Sequence, residues 1–126
     1  MVAPMTTKDI GQKLVDLCKA GKNGEAMTSL YAKDIVSLEA GAPPGESPEA
    51  KGLDACLAKG NQWREQHEIH GAKVDGPYPN GDRFAVVFEY DLTRKQNNQR
   101  FQMKEVALYT VKNDKIVREE FFYAMG

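Results

Sequence analysis

The sequence predicts an α+β domain, because helical and strand-like segments are largely separated along the chain. Apolar residues recur at helical spacing three times before His67, and apolar and polar residues alternate at strand spacing after it. Helices that come before a run of strands joined by tight turns indicate an α+β fold. In βαβ units, by contrast, strands and helices alternate along the chain. A chain of 126 residues fits a single domain, residues 1–126, with one hydrophobic core.

Three helices are predicted in the first half of the chain. The first begins at the capping segment Thr6–Asp9 and ends near Gly21, which suits a C-terminal cap. The second restarts at about Asn23, and the third runs from Leu53 to about His67. Their apolar faces contain Ile10, Leu14, Leu17, Cys18, Ala26, Met27, Leu30, Tyr31, Cys56 and Trp63.

The strands are predicted mainly in the second half. A short strand at residues 34–40 precedes "GAPPGESPEAKG" at residues 41–52, whose three prolines and three glycines predict a loop. Asn80-Gly81 favours a hairpin turn between two later strands. These later strands are predicted at about residues 68–77, 83–93, 100–111 and 116–124.

Composition and charge exclude several classes of partner. The 17 basic and 18 acidic residues give a net charge of −1, so neither nucleic acid nor an anionic membrane is expected as a partner. No apolar run approaches the roughly 20 residues that span a bilayer, and the N-terminus does not resemble a signal peptide. We therefore expect a cytoplasmic protein. Cys18 and Cys56 lack metal-type spacing and are expected to be buried free thiols.

Glu105 interrupts an apolar face of the strand predicted at residues 100–111. The face is otherwise built from Phe101, Met103, Ala107, Tyr109 and Val111. A misphased strand would leave Glu105 in solvent, and a neighbouring cation would make it a structural ion pair. As the third alternative, Glu105 faces a pocket, where poor solvation raises the pKa of its carboxyl group toward neutrality.

The chain resembles a known family over about residues 8–124. "DLCKAGKNGEAMTSLYAKDIVSLEAG", the Lys51-Gly52 pair and "EVALYTVKNDKIVREEFFY" are similar to SnoaL-like proteins. These proteins belong to the nuclear transport factor 2-like and ketosteroid-isomerase-like superfamily. The resemblance implies a cystatin-like cone, in which a curved antiparallel sheet wraps three N-terminal helices around a pocket open at one end. It also implies a homodimer through the outer face of the sheet.

The last strand is consistent with burial on both faces. Its alternation predicts Val117, Phe121 and Tyr123 on one face, and Ile116 and Phe122 on the other. A partner subunit would cover the apolar residues that face outward.

The resemblance also assigns candidate catalytic residues. Glu39 matches the general base of ketosteroid isomerases, and Glu105 falls near the second acid of the site. Leu14 stands where those isomerases place their oxyanion-binding tyrosine, which disfavours steroid isomerisation. Some relatives use a histidine as base, which makes His70 the third candidate. His67 and His70 could ligate a metal together only on one helix, so no metal and no cofactor are expected.

A ligand-binding wall is predicted around these candidate catalytic residues. The alternative for the wall residues is ordinary core packing. The expected ligand is a small hydrophobic molecule. The residues of the wall are Leu14, Tyr31, Trp63, Phe88, Tyr90, Met103 and Tyr109.

Two functions remain open on the sequence. One is a cofactor-independent acid/base isomerase, cyclase or dehydratase that acts on a small hydrophobic carbonyl or cyclic compound. The other is a non-catalytic dimeric domain for ligand binding or scaffolding. An open cavity with at least two of Glu39, His70 and Glu105 would favour the enzyme, whereas a cavity filled by Trp63 and Met103 would favour the alternative.

Overall fold

Three helices pack against one face of a curved, unclosed six-stranded sheet in the computed structural model, which describes residues 5–124. This confirms the predicted α+β class. The prediction of no signal peptide rests partly on residues 1–4, which lie outside the described residues. The elements are α1 Thr7–Lys19, α2 Asn23–Leu30, β1 Tyr31–Leu38, β2 Glu49–Lys51, α3 Leu53–Gln66, β3 His67–Asn80, β4 Arg83–Arg94, β5 Gln99–Lys112 and β6 Lys115–Phe122.

Side-chain and backbone caps set both ends of α1. The Asp9 N–H donates to Thr6 Oγ1 at 3.1 Å, and the Thr6 N–H donates to Asp9 Oδ2 at 3.1 Å, which forms a capping box. At the other end Gly21 adopts φ 75°, and the Lys22 N–H donates to the Leu17 carbonyl at 2.8 Å. This Schellman arrangement confirms the predicted cap at Gly21.

The sheet has the strand order β2-β1-β6-β5-β4-β3. Neighbouring strands are antiparallel except for β1 and β6, which are parallel, so the expectation of a wholly antiparallel sheet is corrected at this pair. The predicted loop at residues 41–52 contains β2, which is too short for its periodicity to be visible. Tyr31, predicted on a helix face, is the first residue of β1.

A bulge in β6 changes which side chains face inward. Val111 pairs with Ile116 but Thr110 pairs with Arg118, so Val117 is an extra residue in β6. Ile116 and Glu119 are consequently both buried against the helices, while Phe122 points to the outer face. The predicted alternation placed Ile116 with Phe122, which is wrong because the bulge shifts the phase by one residue.

The hydrophobic core joins α1 to the middle of the sheet. Ile10 and Leu14 are buried with Phe84 and Val86 of β4. The Phe84 and Tyr109 rings stack with centroids 4.9 Å apart. Within residues 5–124, no helix is both long and apolar enough to cross a bilayer.

Candidate functional site

A cavity of about 960 Å³ lies between the helices and the concave face of the sheet. This volume is in the range of small-molecule sites. Trp63 and Met103 lie in the wall and leave the cavity open. The predicted wall residues all line it, namely Leu14, Tyr31, Trp63, Phe88, Tyr90, Met103 and Tyr109.

Glu105 lies in the wall of the cavity on β5, opposite Phe88 of β4 in the ladder. Burial and, to a smaller extent, the nearby Glu39 and Glu119 carboxylates raise the pKa of the Glu105 carboxyl group to about 7, against the opposing charge of Lys59. Within residues 5–124, the Glu105 carboxyl group forms no hydrogen bond or ion pair. Of the three sequence-based alternatives, the position of Glu105 therefore agrees with a carboxyl group that faces a pocket.

Glu39 follows β1 and also lines the cavity, but two side chains fix it in place. Lys59 Nζ lies 2.8 Å from Glu39 Oε1 in an ion pair. The Tyr123 hydroxyl donates to Glu39 Oε2 at 3.0 Å. Glu39 is therefore a fixed negative charge, whereas the Glu105 carboxyl group is available to a ligand.

Glu119 is a third inward-facing acid, and sequence reasoning missed it. Only 1% of the residue is exposed, and its carboxylate accepts hydrogen bonds from the Tyr31 hydroxyl and, at 2.8 Å, from Ser37 Oγ. Burial raises the pKa of Glu119, and the two hydroxyl donors oppose that increase. Lys59 Nζ donates to Ser37 Oγ at 2.6 Å, which connects Glu119 to the Glu39–Lys59 pair.

The signals for these missed residues were present in the sequence. Glu119 stands between Val117 and Phe121 at alternate positions, so it interrupts an apolar row as Glu105 does. Lys59 follows Cys56 by three residues and precedes Trp63 by four, which places it on the inward side of α3.

The two histidines occupy different environments. His70 does not line the cavity, so the expectation that it would share the pocket with Glu105 is wrong. It is the extra residue of a bulge in the edge strand β3, and its Nε2 lies 2.6 Å from Thr93 Oγ1. His67 does line the cavity, with its ring centroid 4.9 Å from that of Trp63.

The cysteines are unpaired, and a metal-binding cluster is not found among residues 5–124. Cys56 is buried and Cys18 partly buried at the cavity. Burial raises the pKa of the Cys18 thiol to about 12, so it remains protonated at neutral pH.

Comparisons with known proteins agree with this architecture. A family model described as a SnoaL-like domain matches residues 5–123. A Mesorhizobium loti structure is named a candidate SnoaL-like polyketide cyclase, with "carbohydrate phosphatase" in brackets. It is 44% identical with a TM-score of 0.89, and the match covers 94% of this chain and 100% of that chain.

Two more distant structures share the fold. A nuclear transport factor 2-like protein from Burkholderia thailandensis has 20% identity and a TM-score of 0.80, with 95% of this chain and 92% of that chain covered. A Xanthomonas campestris protein with a cystatin-like fold has 20% identity and a TM-score of 0.77, with 96% and 92% covered. No curated protein matches this sequence. With its cavity, its cystatin-like sheet and a family match over almost its whole length, the chain belongs to the SnoaL-like domain family.

Proposed function

We propose that this protein is a cofactor-independent acid/base enzyme that transfers a proton on a small hydrophobic carbonyl or cyclic compound. The observation that carries the proposal is the Glu105 carboxyl group, which faces an open cavity, has no partner within residues 5–124 and has a pKa of about 7. A group with that pKa is present in both protonation states at neutral pH, which suits an acid/base catalyst.

In this proposal Glu105 moves the proton. Its ionised form takes a proton from the carbon next to a carbonyl, and its protonated form returns the proton to a different atom of the same molecule. Isomerisation and cyclisation both need this removal and return of a proton. The Glu39–Lys59 ion pair stays in place, and within it the charge of Glu39 raises the pKa of Glu105 while the charge of Lys59 lowers it.

Two tyrosines are the proposed donors to the oxyanion that forms on the carbonyl. Leu14 cannot donate, but Tyr90 and Tyr109 also line the cavity. Burial raises the pKa of both phenols, so each keeps its proton at neutral pH. A buried donor aimed at a developing negative charge is a strong source of catalysis.

Among the acid/base reactions proposed here, the name of the Mesorhizobium loti structure supports a cyclase. That structure is 44% identical over nearly the same length and carries a polyketide cyclase name. Cyclisation of a polyketide-like chain begins with removal of a proton next to a carbonyl, which is the step proposed for Glu105.

We further propose a cytoplasmic homodimer that associates through the outer sheet face. Val106 and Phe122 pair across β5 and β6 on this face, and they are 36% and 51% exposed. Adjacent exposed apolar side chains favour a protein contact. The unpaired Cys18 and Cys56 suit a reducing compartment.

The proposal can be tested without knowledge of the natural substrate. A thermal-shift screen with steroids, polyketide-like aromatic ketones and small lactones would identify ligands that stabilise the native protein. Exchange of the α-protons of each bound ketone for deuterium, followed by NMR in D₂O, then reports proton transfer directly. We expect exchange with the native protein, at a rate that rises with pH through about 7 because the ionised form of Glu105 is the base.

Glu105→Gln is the informative variant, and Glu89→Gln on the exposed side of β4 is its control. We expect Glu105→Gln to bind the same ketones and to lose most of the exchange, while Glu89→Gln keeps both. Exchange at the native rate in Glu105→Gln would contradict the proposal. Binding by the native protein without any exchange would favour the alternative, a non-catalytic binding domain.

A further inference from the structure

The cavity has a basic end as well as an acidic one. Arg64 of α3 and Arg94 of β4 both line it. The Lys95 N–H donates to the Gln66 carbonyl at 3.0 Å, which joins the end of α3 to the end of β4. Arg94 also pairs with His67, the first residue of β3. The backbones of Arg64 and Arg94 therefore lie toward the same end of the cavity.

The β4 wall of the cavity runs from the acidic end to this basic end. On β4, Phe88 is opposite Glu105 and Arg94 lies six residues further on, about 20 Å at the usual rise of a strand. On α3 the Arg64 guanidinium turns back to Gly60 and Asn61, so β4 alone sets this separation. A ligand can thus reach both ends at once only if it is elongated.

Within residues 5–124 neither arginine has an acidic partner at ion-pair distance. Arg64 Nη2 donates at 2.5 Å to Oδ1 of Asn61, which is a neutral amide. The Arg94 guanidinium lies 5.0 Å from the centroid of the Phe101 ring. Their remaining N–H groups are free to bind an anion, and the planar guanidinium group favours a carboxylate.

The other lysines and arginines that line the cavity, among the described residues, are already paired. Lys59 contacts Glu39. Lys104 Nζ lies 3.8 Å from Glu89 Oε1. Arg64 and Arg94 are therefore the cavity-lining cations suited to a ligand's negative charge.

The section of the cavity near the arginines is aromatic. Trp63 and Tyr90 lie with their ring centroids 5.2 Å apart, and Phe101 also lines the wall. This lining suits the apolar body of a ligand. Glu39, Glu105 and Glu119 at the opposite end repel an anionic group, so one orientation of an acidic ligand is favoured.

We infer that the cavity binds elongated aromatic or alicyclic molecules that carry a carboxylate, with the carboxylate on Arg64 and Arg94 and the reacting carbonyl end toward Glu105. The inference rests on the proposed function for the reaction at the Glu105 end. Recognition of the anion by the two arginines is independent of catalysis, so it is tested by binding alone.

Two fluorescent dyes provide a matched test of the anion site. 8-Anilinonaphthalene-1-sulfonate and N-phenyl-1-naphthylamine share one apolar body, and only the first is an anion. We expect the native protein to bind the anionic dye about tenfold more tightly at low salt, because its sulfonate gains charge-assisted hydrogen bonds. Added salt should reduce this difference, since it screens the exposed Arg94 charge.

The variants Arg64→Gln and Arg94→Gln, alone and combined, test the assignment, and Arg83→Gln at the far end of β4 is the control. We expect the combined variant to lose most of the preference for the anionic dye and to keep its affinity for the neutral one, with Arg83→Gln unchanged. Circular dichroism verifies that each variant is folded.

Equal affinity of the native protein for the two dyes would overturn the inference, and so would a lack of saturable binding of the anionic dye. An equal loss of affinity for both dyes in the combined variant would also overturn it. The deuterium-exchange experiment on Glu105→Gln is unaffected by these results, so failure of the anion site is distinguishable from failure of the proposed catalysis.

Discussion

Glu105 and Glu119 face the helices from neighbouring strands, but their surroundings give them different roles. Glu119 accepts hydrogen bonds from Tyr31 and Ser37 and is buried, which is the arrangement of a structural carboxylate. Glu105 lacks such donors within residues 5–124 and faces the cavity. The difference arises from β1, which supplies both hydroxyl groups to Glu119 alone.

The raised pKa of Glu105 predicts a specific dependence of stability on pH. The folded protein retains this proton up to a pKa of about 7, whereas the unfolded chain loses it near the ordinary value of 4.5. The free energy of unfolding therefore falls as pH rises between these values and levels off above about 7. At roughly 1.4 kcal/mol per pKa unit, the ionised Glu105 costs about 3–4 kcal/mol.

Glu105→Gln should remove this part of the pH dependence. We expect the advantage of the variant over the native protein in free energy of unfolding to grow by roughly 2–3 kcal/mol between pH 5 and pH 8, measured by urea unfolding. The control Glu89→Gln should keep the native profile, because Glu89 is exposed. An identical pH 5 to pH 8 difference in Glu105→Gln and the native protein would contradict the prediction.

Tyr31→Phe tests the structural role of Glu119. The variant removes one hydroxyl donor from a buried carboxylate, which we expect to cost about 1–3 kcal/mol of stability in urea unfolding. Tyr78→Phe is the matched control, since its hydroxyl donates to Asp75 at an exposed position and its loss should cost less than about 0.5 kcal/mol. Equal effects of the two substitutions would refute a special role for the Tyr31 hydroxyl.

At the scale of elements, the closest approach of α1 to the sheet depends on Gly11. A Cβ atom at this position would lie 2.7 Å from Pro77 Cβ and 3.1 Å from Phe84 Cδ2. Neither neighbour is the end of a flexible chain, so α1 would have to move away from β3 and β4. We expect Gly11→Ala to destabilise the protein by about 1–3 kcal/mol, measured by urea unfolding.

Gly24→Ala provides the control for helix propensity. Gly24 is also helical, in α2, but a Cβ atom there would meet nothing within 4 Å. Alanine should stabilise this position by roughly 0.5 kcal/mol, because it restricts the unfolded chain and favours a helix. If both substitutions changed stability in the same direction, close packing of Gly11 would not be the reason for its effect.

At the scale of the whole molecule, the outer sheet face predicts the oligomeric state. Phe122→Lys would place a charge in the apolar surface that Phe122 forms with Val106. We expect sedimentation equilibrium to give twice the chain mass of 14.0 kDa for the native protein and a single chain mass for the variant. Loss of the dimer follows because a buried unpaired charge opposes association.

The control removes an exposed apolar residue from the cavity side of the sheet. Ile69 of β3 is 43% exposed, pairs with the buried Leu92 and lines the cavity, so Ile69→Ser reduces apolar surface away from the outer face and should leave the dimer intact. A native protein that sediments as a monomer at high concentration would refute the homodimer.

Sequence patterns predicted most of the fold, because caps and hydrophobic periodicity depend on residues that are near one another in the chain. The capping segment at Thr6, the cap at Gly21 and the β4 alternation from Phe84 to Leu92 each follow from neighbours in the chain. The bulge at Val117 and the parallel pairing of β1 with β6 depend on distant strands, and neither leaves a periodic signal.

The candidate site also has a part that the sequence predicts and a part that depends on distant residues. The sequence by itself determined that Glu105 stands in an apolar row, and the phase of β5 is enough to turn it inward. Only the tertiary structure decided which charges surround it, because Glu39 follows β1, Lys59 lies on α3 and Glu119 lies on β6. The charge and the donors that set a buried carboxyl group's pKa act through space, and the order of residues along the chain does not specify those distances.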